Sequence, residues 1–93
     1  MKLYVIEYPK DCMVWVAAEN KKDAVQAYID DYMLAIKDRE LVGRVIEECC
    51  PDTEVLVDYN DTGEAVEISC REHIEKLKAK GCVFPRVIGA TDI

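Results

Sequence analysis

Apolar and polar positions along the chain alternate at two different periods, and each period predicts a different element. Lys2–Tyr8 and Cys12–Ala18 are rich in β-branched and aromatic residues, with Pro9-Lys10-Asp11 as a short loop between them, which predicts an antiparallel hairpin. Both of its faces are apolar: Leu3 and Val5 alternate with Tyr4, Ile6 and Tyr8, and Val14 and Val16 with Met13, Trp15 and Ala17. Such strands sit mid-sheet with cover on each side, or give one face to another chain.

Asn20 then stands as an N-cap, with Asp23 in the first turn and Val25, Ile29, Tyr32 and Ile36 at helical spacing, so a helix is expected over Lys21–Ile36. From Asp38 a second stripe, Val42, Val45, Ile46 and Cys49, faces away from Arg44, Glu47 and Glu48 and stops before Pro51. It predicts a second helix, in which Gly43 costs about 1 kcal/mol relative to Ala.

The period changes again at Thr53–Tyr59, where Val55, Val57 and Tyr59 alternate with Glu54 and Asp58; Val66 and Ile68 resume the pattern after Asn60-Asp61-Thr62-Gly63. The expectation is a second hairpin, half buried. Ser69-Cys70-Arg71-Glu72 fits a capping box and opens a last helix, closed by Gly81. In the tail, Val83–Ile93, Pro85 permits an edge strand or an extended arm. The order ββααββα plus a short C-terminal strand predicts an α+β fold: one mixed or antiparallel sheet of four to five strands with two or three helices packed on it. Ninety-three residues make one domain, 1–93.

Charge changes this picture because it is localised. The net charge is −7, and segment 38–64 carries all of it, with nine acids against two bases. That argues against direct contact with nucleic acid or an anionic membrane and for a partner with a basic surface. The first seven residues meet a charge too early for a secretory segment, and the five irregularly spaced cysteines do not form a disulfide framework, so a cytoplasmic protein with free thiols is expected.

The best candidate for chemistry is the sole histidine, His73, three residues after Cys70. On a helix Cys70, Ile74, Leu77 and Gly81 share one stripe, with His73 about 60° to its side, so Cys70 reads as a core residue rather than a nucleophile. Cys49, Cys50, Cys70 and His73 are the residue types of a zinc or thiol site, but no Cys-x-x-Cys accompanies them. The four glycines are isolated and the adjacent carboxylate pairs read as solvated faces, which leaves no site for a nucleophile, a cofactor or a phosphate. A non-catalytic binding protein is therefore expected. Its partner-binding residues would be Glu47, Glu48, Asp52, Glu54, Asp58, Asp61 and Glu64, sharing one side, with Trp15 as an aromatic anchor. A zinc or thiol regulatory protein, and a homodimer or larger homo-oligomer built on the two-sided first hairpin, are the alternatives.

Lys2-Leu3-Tyr4-Val5-Ile6, leading through Trp15-Val16-Ala17-Ala18-Glu19-Asn20 into Asp23-Ala24-Val25-Gln26-Ala27-Tyr28, resembles the opening of many small α+β proteins encoded by phages and other mobile elements. Val66–Ile74 is similar to their final strand-to-helix step. The resemblance implies an inhibitor of host nucleic-acid-handling machinery, CRISPR effectors included, and carries no site residue with it.

Overall fold

The computed structural model describes residues 1–7, 12–32, 38–59 and 61–90. The expected loop at 9–11, Ile36 and the last three residues lie outside them. The elements are β1 (Lys2–Ile6), β2 (Val14–Ala18), α1 (Lys21–Tyr32), α2 (Asp38–Arg44), β3 (Ile46–Cys49), β4 (Val55–Tyr59), β5 (Ala65–Ser69), α3 (Cys70–Ala79) and β6 (Arg86–Ala90). The α+β class is as expected. The strands form two antiparallel sheets rather than one, a four-stranded sheet in the order β3-β1-β2-β6 and a β4-β5 ribbon.

The apolar faces of β1 and β2 place them centrally, as both their faces require. On one face Tyr4, Ile6, Val14 and Val16 pack against Ala24, Val25, Tyr28 and Ile29 of α1 and Val42 of α2. On the other, Leu3, Trp15, Ala17 and Ile88 pack with Cys70 and Ile74 of α3, joined by Leu56, Leu77 and Phe84. Asn20 caps α1, its side-chain oxygen accepting from the Asp23 backbone N–H at 2.9 Å. The buried stripe of α1 runs through Ala24, Val25, Tyr28 and Ile29. Tyr32, expected in that stripe, is exposed and lies against Tyr28 with ring centroids 4.9 Å apart.

The second predicted helix is half wrong. It ends at Arg44, and Ile46–Cys49 is an edge strand paired with β1 in the register Leu3↔Cys49, Val5↔Glu47, Ile6↔Ile46. Val45 and Ile46 are β-branched, and β1 offers them an open row of backbone groups, so pairing overrides a helical stripe that a glycine already weakens. At the opposite edge Arg86–Ala90 takes the edge-strand alternative, paired with β2. Its register slips between Trp15 and Val16, which makes Ile88 an extra residue. Val87 packs on one core and Ile88 on the other as alternation along a strand requires, and the extra residue keeps Gly89 on the side of Trp15 and Ile88. Gly81 follows the C-cap of α3 at φ +79°, a conformation that favours glycine.

Candidate functional site

The hairpin at 55–69 departs furthest from its expected orientation. The expected half-burial does not fall on the row Val55, Val57 and Tyr59, which is exposed by 47%, 59% and 68%. Leu56, between two of them, points the other way and packs into the second core. The room for it comes from Gly89 of β6: a Cβ there would lie 2.8 Å from Leu56 Cδ1. Leu56 over this glycine, with Val66 and Ile68 of β5 partly buried on the same side, sets the inward face of the ribbon and leaves its β-branched and aromatic row outward. Across the ribbon Val57 stands opposite Glu67 and Tyr59 opposite Ala65, both exposed.

The predicted acidic residues do not share one face. Glu47 and Glu48, adjacent on β3, lie opposite Val5 and Tyr4 and so project to opposite sides of the sheet. Glu48 sits 3.7 Å from Lys2 Nζ. Glu47 borders an open hollow of about 390 Å³ with Glu7, floored by Val5 and Met13. Asp52 is engaged by Arg71, whose Nε and Nη2 both donate to its carboxylate. The guanidinium holds the Asp52 carboxyl below its ordinary range, chiefly through that hydrogen bond. Glu54 is partly buried, and its backbone carbonyl accepts from Cys70 N–H at 2.8 Å. Asp61 and Glu64 are exposed between β4 and β5. The side chain of Asp58 lies outside the described residues. Among the described residues, Glu67 stands on the face of the apolar row opposite Val57, and Asp61 and Glu64 lie in the connection that joins its two strands. Glu67 lies beyond the acidic segment 38–64 from which the predicted set was drawn, although its alternation with Val66 and Ile68 gave its outward face.

Trp15 is 8% exposed, in the core under α3, so it is no projecting anchor. Cys70 is fully buried, and Ser69 caps its helix by accepting from Glu72 N–H at 3.1 Å. Burial first, and the nearby Glu54 carboxylate second, push the Cys70 thiol up to about 11; burial leads the same shift to about 11 at Cys49. Such thiols are protonated and poorly nucleophilic at neutral pH. Among the described residues no three His, Cys, Asp or Glu side chains come together to hold a metal ion.

Trp15 and His73 instead meet at a groove of about 290 Å³, walled by residues 55–57 of β4 and 88–90 of β6. Trp15 Nε1 and His73 Nδ1 are both buried without a hydrogen-bond partner among the described residues. Also among the described residues, no helix is long and apolar enough to cross a membrane. No family model matches the chain, and no curated protein or solved structure matches it either.

Proposed function

We propose that the protein is a non-catalytic binding module whose outward ribbon face docks on a protein with a basic surface. The observation that carries this reading is the exposed row Val55, Val57 and Tyr59 on a two-stranded sheet, bordered by Asp61, Glu64 and Glu67. An apolar row standing in water on a small domain is the composition of an interface centre, and aromatic residues such as Tyr59 are frequent anchors. The carboxylates decide the partner's sign. They repel a second ribbon of the same chain and attract Lys or Arg, which disfavours the homodimer and supports a basic partner. A basic surface is the electrostatic footprint of a protein that handles nucleic acid, which agrees with the inhibitor of such machinery implied by the resemblance.

Affinity capture from the source cells, with Tyr59→Asp and the pair Glu64→Lys, Glu67→Lys beside the native protein, tests the reading. Partners retained by the native chain should be lost from both variants, with unchanged circular dichroism, and should elute as salt rises. Equal capture by all three proteins would overturn it.

A further inference from the structure

The four-stranded sheet ends in two edge strands, β3 and β6, and their sequences guard them unequally. β3, Ile46-Glu47-Glu48-Cys49, carries exposed carboxylates on both of its faces, a placement that deters another strand from pairing there. β6, Arg86-Val87-Ile88-Gly89-Ala90, has its one charge at its first residue and is apolar beyond it. Among the described residues β2 is its sole strand partner, and no further backbone hydrogen bond reaches residues 86–90. Such an outward row of N–H and C=O groups is the template on which an extended segment pairs. Beside the start of β6 lies an open hollow of about 420 Å³, lined by residues 83–87 and, from α1, by Asp30 and Asp31. It meets both Arg86 and Val87, whose side chains alternate, and no residue of β2, so it follows the outward edge rather than one face. Its two carboxylates outnumber Arg86, and Val83 beside them is 80% exposed. On the other face, residues 88–90 border the apolar groove walled by residues 55–57 of β4.

We propose that β6 receives, as a further strand of the sheet, an extended segment of a basic protein in which lysine or arginine alternates with apolar side chains. The backbone supplies the pairing, and the two faces supply the pattern. Val87 packs toward α1 and Ile88 toward the second core. Side chains of an added strand on the α1 face therefore meet Asp30 and Asp31, while those between them fall on the face of the apolar groove. Basic residues suit the first set and apolar residues the second. A second copy of the chain fits less well. Antiparallel pairing of β6 with itself keeps both α1 helices on one face of the joined sheet and sets their two acidic hollows along one seam. The inference goes beyond the ribbon reading and stands without it, since pairing to the β6 backbone needs neither Tyr59 nor Glu67.

The probe is the peptide acetyl-Lys-Val-Lys-Val-Lys-Val-Lys amide, titrated into the isotopically labelled native chain and followed by NMR. Backbone amide signals of residues 86–90 should move saturably, with intermolecular contacts between peptide and β6 amide protons. Acetyl-Lys-Pro-Lys-Pro-Lys-Pro-Lys amide carries the same charge but holds polyproline II geometry and lacks every second N–H, so it should bind about tenfold more weakly. Asp30 and Asp31 are exposed near the C-terminus of α1, where lysine suits the helix dipole, so Asp30→Lys with Asp31→Lys keeps the fold. That double variant should bind the lysine-valine peptide about tenfold more weakly than the native chain. No movement of the β6 signals, equal binding of the two peptides, or undiminished binding by the double variant would each overturn the proposal. So would concentration-dependent pairing of β6 with a second copy in the absence of peptide. Tyr59→Asp should leave peptide binding unchanged while losing the ribbon's partner, so a failure at the β6 edge is read separately from a failure of the ribbon.

Discussion

Leu56 of β4 rests on Gly89 of β6: a Cβ on the glycine would stand 2.8 Å from Leu56 Cδ1 and 3.1 Å from Cδ2. This contact seats the ribbon on the four-stranded sheet, with Val66 and Ile68 of β5 partly buried on the same side. The colliding atoms are the far end of a flexible side chain, so Gly89→Ala should be tolerated with a small loss of stability. Gly89→Val should cost about 1–3 kcal/mol by overpacking. In Leu56→Ala the added methyls have space, and a double-mutant cycle in urea should show Gly89→Val becoming cheaper there. Additive losses would mean that the two residues do not share this contact.

The thiols set an alkaline limit. Cys49 and Cys70 are raised from 9.0 to about 11 in the folded chain, so the unfolded chain releases these protons first. Their contribution to stability is complete below pH 9 and is lost as pH rises from 9 towards 11. Melting temperature should fall over that window, and Cys70→Ala should flatten the fall even if it lowers stability at pH 7. At pH 8 the exposed Cys50 should react with a thiol reagent well before Cys70, which should become reactive on unfolding. Equal labelling rates for the two would contradict the burial of Cys70.

Asp52 and Arg71 form an exposed ion pair, with side chains 58% and 57% accessible. Asp52→Asn should therefore change neutral-pH stability little. The Asp52 carboxyl is held low by Arg71, so the pair's small stabilisation persists above the ordinary carboxylate range and is lost as pH falls through the folded value. Because Asp52 precedes β4 whereas Glu67 stands on the ribbon opposite Val57, Asp52→Asn should also weaken partner capture less than Glu67→Gln. A larger loss from Asp52→Asn would move the docking surface away from the ribbon.

Ser69 closes β5 and caps α3 by accepting from Glu72 N–H. Ser69→Ala should cost about 0.5–2 kcal/mol in urea denaturation, and Ser69→Asp should recover most of it. No loss on removing the hydroxyl would show that α3 is held by packing alone.

Much of this architecture is legible along the chain because it depends on neighbours in sequence. The Asn20 and Ser69 caps, the glycine after α3 and the two apolar faces of the first hairpin each follow from local hydrogen bonding or from side chains alternating along a strand. Cys70 was readable as a core residue for the same reason, since its stripe with Ile74 and Leu77 is a property of one helix. The boundary at residue 45 was not readable, because β3 exists through backbone bonds to β1, forty residues away. Nor could alternation say which side of the ribbon faces inward: Val55, Val57 and Tyr59 look like the better core, yet Leu56 has a glycine to sit on and they do not. Pattern gives a strand two faces; only the surface it packs against chooses between them, and here that choice places an apolar row, its acidic border and the Trp15–His73 groove on the outside of the molecule.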